Sequence, residues 1–139
     1  MSTSTEPRRE IYLDQLGVPV SHYTHAVTFG NLLFISGQVG RDHETQTISP
    51  DVAEQARQLF RNMSKILDAA GATFAEVLKV TVYLTDIDDH TLVTPVRAEF
   101  FGDHRPASTL VQVVNLVRPG LKVEVDAIVG LRGNPSAAA

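Results

Sequence analysis

The chain has 139 residues, enough for one ordinary core and too few for two. Apolar residues supply 43% and charged residues 20%, a globular balance that sets disorder aside. Twelve Lys and Arg against sixteen Asp and Glu leave a formal charge of −4 at pH 7, which argues against a dedicated nucleic-acid surface. With no cysteine present, disulfides, thiolate nucleophiles and cysteine-held metals are excluded.

Residues 1–8 are polar and carry Pro7, so they read as a tail. The opening lacks the apolar stretch of a secretory signal, and the longest apolar runs, such as residues 32–35, are too short to span a bilayer. A soluble, cytoplasmic single domain over residues 9–131 is the expectation, with 132–139 as a second tail. Residues 27–29 and 32–36 read as strands flanking Gly30-Asn31, a two-residue hairpin turn. A helix follows, with Ser49 as N-cap, Pro50 in the first helical position, and Asp51 and Glu54 complementing the dipole. Val52, Ala56, Leu59, Phe60, Met63, Ile66, Leu67 and Ala70 recur at helical spacing until Gly71 ends the run. Thr73 and Glu76 are spaced as a capping box, and residues 80–84 read as a strand. Leu92, Val93, Val96 and Phe100 mark a second helix ending near Gly102, with Pro95 in its first turn. Residues 109–114 and 121–131 close the chain as strands. The order ββ-α-β-α-ββ predicts an α+β sheet with two helices.

The last strand is the most informative. Val123, Val125, Ala127 and Val129 point one way, and Glu124, Asp126 and Ile128 the other. Two helices cover only one face of such a sheet. The other face, with Tyr83 and Ile128 beside carboxylates, reads as an interface between copies of the chain, or as the floor of a site there. Glu124 on that face is either a general base or one half of an ion pair across the interface, and the pattern alone leaves both open.

Other motifs are weak. Neither GxGxxG nor GxxxxGK[ST] occurs, so no nucleotide loop is expected. His22 and His25 lie three apart without a third ligand. Loop or surface histidines are therefore the plainer reading, and no metal site is expected. Ser36 lacks the leading glycine of a nucleophile elbow.

Taken together, a set of separated matches resembles the RidA/YjgF family of reactive-intermediate deaminases. They are Ser21-His22-Tyr23, Leu33-Phe34-Ile35-Ser36-Gly37-Gln38, Gln55-Ala56-Arg57 with Asn62, and Ala69-Ala70-Gly71-Ala72. Val80-Thr81-Val82-Tyr83-Leu84, Phe100-Phe101, Arg105-Pro106-Ala107 and Val123-Glu124-Val125 complete the set, which covers residues 17–131 in family order and spacing. The resemblance implies a chorismate-mutase-like α+β subunit with two helices on one face of a mixed sheet. It also implies a homotrimer whose sheets form a central barrel, with three ligand clefts between subunits. Active members hydrolyse enamines and imines, such as 2-aminoacrylate, to 2-oxo acids and ammonia, without cofactor or metal. The implied partner is therefore a small carboxylate or imine ligand, not a membrane or nucleic acid.

By the same resemblance, Glu124 matches the glutamate that positions or deprotonates the attacking water, and Tyr23 the aromatic residue lining the cleft. Ser36 and Gly37 match the strand end beside them. The departures concern the substrate carboxylate. Active subgroups read Pro-Ala-Arg-Ser, whereas this chain reads Pro106-Ala107-Ser108-Thr109, so Ser108 stands where the gripping arginine would be. This marks a divergent subgroup. A family asparagine is Thr94 here, and a family tyrosine one turn later is Arg97. Thr94 and Arg97 lie three apart on one helix face, so Arg97 is a candidate replacement clamp, and Arg105 a second. An imine deaminase is one expectation, and a non-catalytic metabolite-binding trimer is the alternative. Older family labels mention ribonuclease, but the acidic charge and the lack of a histidine pair or an aromatic-basic run argue against it.

Overall fold

The computed structural model describes residues 7–132. Helix α1 (Val52–Ala70) carries the predicted apolar stripe into the core, where Ala56, Leu59, Phe60, Met63, Ile66 and Leu67 are all buried. Its start differs from expectation. Asp51, not Ser49, is the N-cap, and its carboxylate accepts from the Glu54 N–H at 3.1 Å. Ser49 instead accepts from the Asp51 N–H at 3.1 Å, and Pro50 precedes the helix rather than opening it. Gly71 ends α1 at φ +74°, its N–H bonding Asp68 O while the Ala72 N–H reaches Leu67 O. That pair of bonds is a Schellman closure. The Thr73–Glu76 capping box is present on a short 3₁₀ turn.

Six strands form one sheet in the order β1 (Arg8–Ile11), β2 (Ala26–Phe29), β3 (Leu32–Val39), β8 (Val123–Gly130), β6 (Val77–Leu84) and β7 (Ala107–Gln112). Only the β6–β7 pair is parallel. A small hairpin, β4 (Arg41–Asp42) and β5 (Thr47–Ile48), stands apart. The Gly30-Asn31 turn is as expected, with positive φ at Gly30 only, the first central position of a type II′ turn. Strand β1 was not expected. It draws Arg8 out of the anticipated tail, and residues 1–6 and 133–139 of the two tails lie outside the described residues. Strand β7 begins two residues early, and residues 113–114 and 121–122, expected as strand, belong to the loop between β7 and β8.

Helix α2 (His90–Phe101) begins two residues before Leu92, the first residue that marked it, so Pro95 lies inside it and not in its first turn. A 3₁₀ turn over Ile87–Asp89, capped by Asp86, leads directly into it and sets that early start. Helix α1 packs on β3, β8 and α2. Phe60, Phe74, Phe100 and Phe101 join the two helices, with ring centroids 5.1–6.1 Å apart. Val123, Val125, Ala127 and Val129 are buried beneath the helices. The opposite sheet face is open and carries Tyr83 opposite Glu124, Thr81 opposite Asp126, and Lys79 opposite Ile128. Phe29, Phe34 and Val111 are exposed. The two helices thus leave one face uncovered, as the alternation in β8 predicts.

Two buried amides hold the loops that frame this face. Gln55, fully buried, donates to Ser49 O and Gly120 O and accepts from the Lys122 N–H, each at 2.8 Å. Asn62 donates to Val39 O and Arg41 O at 3.2 and 2.9 Å. Both motif residues are structural pegs, since a buried amide with every partner in place costs little and fixes its surroundings.

Candidate active site

The site grows from an irregularity in β3. Ile35 pairs with Ala127 and Gln38 with Val125, so β3 fits one more residue than β8 between those rungs. Such a bulge bends the strand and re-aims its side chains. Here it sets Gly37 against the Glu124 carboxylate so closely that a Cβ at Gly37 would overlap Glu124 Oε2. Only glycine leaves that carboxylate room. Glu124, Gly37, Ser36, Tyr23, Val20 and Val117 line a cleft of about 390 Å³. Tyr23 is 47% exposed on its wall.

The electrostatics favour a carboxylate that exchanges protons. Glu124 is half-buried, and its pKa is raised chiefly by that burial and further by the Asp126 charge. Asp126 is engaged elsewhere, accepting from the Tyr83 hydroxyl at 3.0 Å. That bond, with burial the larger cause, raises the Tyr83 pKa. Ser36 differs from what its place in the cleft suggests, because its hydroxyl donates to Thr24 O at 2.6 Å. Its proton is therefore committed within the chain, which leaves its oxygen as an acceptor.

His25 lies in the loop that leads into β2, within the loop-or-surface expectation, and its side chain is buried. Its Nδ1 accepts from the Leu13 N–H at 3.0 Å and its Nε2 lies 3.1 Å from Gly17 O. Burial lowers its pKa, partly offset by the Gly17 bond. No cluster of metal-ligating side chains occurs among the described residues.

The remaining predicted residues form a second group. Arg97, half-buried, projects from α2 and donates from Nη2 to Ser108 Oγ at 3.0 Å. Burial lowers the pKa of this guanidinium. Arg97 thus reaches the position that Ser108 holds at the start of β7, next to Ala107. Thr94, exposed on the same helix, spends its hydroxyl on His90 O at 2.9 Å. Arg105 is exposed in the link from α2 to β7. Ser108 pairs with Val80 and Val80 with Ala127. Two strands across and three residues along therefore separate Ser108 from Glu124, about 14 Å on opposite faces. One chain does not bring the two groups together.

The sequence reading missed Arg41, Arg118 and His43, which line a further cavity beside the cleft. Arg118 lies far along the chain from the Arg41–His43 pair and meets it only through loop packing, so no spacing signals the group.

The family model described as Endoribonuclease L-PSP matches residues 15–131. A RutC family protein of Pyrococcus horikoshii is 39% identical over 119 residues, covering 85% of this chain and 94% of that relative. A human 2-iminobutanoate/2-iminopropanoate deaminase is 37% identical over 122 residues, covering 87% and 88%. Among solved structures, E. coli TdcF with bound serine superposes at a TM-score of 0.83 and 31% identity, covering 89% of this chain and 99% of that one. A family model over most of the chain, relatives of this identity and the same two-helix sheet place the chain in the RidA/YjgF family, whose family model bears the Endoribonuclease L-PSP description.

Proposed function

We propose that this chain is a hydrolytic deaminase of small imines and enamines, acting as a homotrimer with its clefts between neighbouring subunits. The observation that carries this reading is the Glu124 carboxylate, set by the β3 bulge against Gly37 in a cleft of about 390 Å³. An imine carbon is already electrophilic, so the protein has three tasks: hold the substrate, place a water and move a proton. Glu124 accepts a proton from that water as its oxygen bonds to the imine carbon and the C=N π pair moves to nitrogen. That proton passes to nitrogen and gives a carbinolamine; Glu124 then moves the proton of its new hydroxyl to the same nitrogen, the C–N bond breaks, ammonia leaves and the carbonyl of a 2-oxo acid forms. A carboxylate whose pKa is raised toward the working pH suits both halves of that transfer.

Two features support the trimer. The open sheet face presents Phe29, Phe34 and Val111 to solvent, and covering such a patch is favourable. The distance between Glu124 and Ser108 in one chain also calls for a neighbour to supply the carboxylate grip. Arg97 is that grip. Its guanidinium rests on the neutral Ser108 hydroxyl and exchanges it for the substrate carboxylate, the stronger charge-assisted acceptor. A human relative named for 2-iminobutanoate and 2-iminopropanoate, and TdcF holding serine, support a small 2-imino acid as substrate.

The alternative, a trimer that binds a metabolite without turning it over, is motivated by Ser108 and Thr94, the departures from the family motif. Turnover decides. An amino-acid oxidase generates 2-iminobutanoate in the presence of the protein, and 2-oxo acid release is followed. The wild type accelerates release, and Glu124→Gln loses about 10²- to 10⁴-fold, the usual worth of a positioned base. Equal rates for the two would overturn the role of Glu124.

A further inference from the structure

Beside the Glu124 cleft lies a second cavity of about 210 Å³. The two share Val20, Tyr23, Gly37, Val39 and Val117 as walls, so they are contiguous. Their chemistry differs sharply. The first presents the Glu124 carboxylate, whereas the second is lined by Arg41, Arg118 and His43 and by no carboxylate among the described residues.

Neither guanidinium is neutralised by the protein. The ion pairs among the described residues belong to Arg8, Arg57 and Arg132. His43 stands in the field of Arg41, which adds to burial in lowering its pKa. His25, on the same wall, has both ring nitrogens engaged by Leu13 and Gly17 and acts as fixed lining. Two planar guanidinium forks without counter-ions match a carboxylate, which each can bind through paired hydrogen bonds. The shared walls Val20 and Val39 supply apolar surface for a short methylene stem.

We propose that this second cavity is the subsite for a distal carboxylate, so that the chain prefers imines of dicarboxylic 2-amino acids over those of monocarboxylic ones. The imine part rests on the function proposed above, whereas the carboxylate preference is a property of binding and is measured apart from turnover. An inorganic phosphate offers similar charge but no stem toward Glu124.

Calorimetry with stable 2-oxo acids tests this. 2-Oxoglutarate and oxaloacetate are compared with 2-oxobutanoate and pyruvate, and with inorganic phosphate. The dicarboxylates bind about 10- to 150-fold more tightly than the monocarboxylates, the range expected for hydrogen bonds to a charged group. That ratio falls to near unity in Arg41→Ala/Arg118→Ala and survives in the control Arg61→Ala on α1. A ratio near unity in the wild type, or one that survives the double substitution, overturns the subsite. So does phosphate binding without a dicarboxylate preference, which marks an independent anion site. A dicarboxylate preference without imine hydrolysis refutes the catalytic reading and keeps the subsite. Hydrolysis without the preference does the reverse.

Discussion

Replacing Arg97 by alanine removes the one guanidinium that α2 lays against β7, where it donates to Ser108 Oγ at 3.0 Å. In the free protein the loss is small, because a neutral hydrogen bond at a partly exposed site contributes about 1 kcal/mol or less. With a carboxylate bound, the same group makes charge-assisted bonds worth about 1.5–3 kcal/mol. Affinity for pyruvate should therefore fall about 10- to 150-fold while the thermal midpoint falls by no more than about 5 °C. The second half of the test exchanges positions. In Arg97→Ala/Ser108→Arg the guanidinium returns to the strand, at the place where the Pro-Ala-Arg-Ser motif carries it, and most of the lost affinity should return. Titration calorimetry on wild type, single and double variants reads this out. If Arg97→Ala binds pyruvate as the wild type does, or if Ser108→Arg rescues nothing, the clamp is not where we place it.

Two predictions concern stability. Gln55→Leu strips partners from Ser49 O, Gly120 O and the Lys122 N–H and should cost about 2–4 kcal/mol by urea unfolding, since orphaned polar groups retain their desolvation penalty; a loss under about 1 kcal/mol would show that water replaces the amide. Stability should also decline as pH falls below the ordinary histidine value of 6.5, because His25 is held below it by burial. The unfolded chain then binds more protons than the folded one, so stability is complete above 6.5 and is lost toward acid, at a slope of up to about 1.4 kcal/mol per pH unit for one group. His25→Gln should flatten that decline, leaving the part that comes from His43, which is also held low; an unchanged slope would count against it.

The parts of this fold that show in the sequence are those written in local periodicity. The α1 stripe and Gly71 are legible because one face meets the core at every turn and a single residue adopts positive φ. The N-cap is not, since Ser49 and Asp51 are both good caps and only the Asp51 carboxylate reaches the Glu54 N–H. Strand β1 reads Arg-Arg-Glu-Ile and lies largely exposed, so hydrophobic alternation cannot reveal it. Pro95 misleads because propensity places proline early in a helix, while here tertiary packing carries α2 past it. In the site, alternation in β8 gives the face of Glu124, but the bulge that seats it against Gly37 is a matter of register between two distant strands. Arg97 was visible as a spacing on a helix, and its partner Ser108 as a departure from a motif. Their hydrogen bond needed the α2–β7 packing.

The most direct test of a cleft shared between subunits mixes two broken ones. Glu124→Gln and Arg97→Ala chains, each impaired alone at low imine concentration, are co-expressed as mixed trimers, and 2-oxo acid release from oxidase-generated 2-iminobutanoate is measured. Where an Arg97→Ala chain contributes Glu124 and a Glu124→Gln neighbour contributes Arg97, an intact site forms. Random assembly of a cyclic trimer then yields about a quarter of the wild-type rate per site. A rate no higher than the average of the two impaired proteins would contradict a shared cleft, and a wild type that does not accelerate release at all would contradict imine hydrolysis itself.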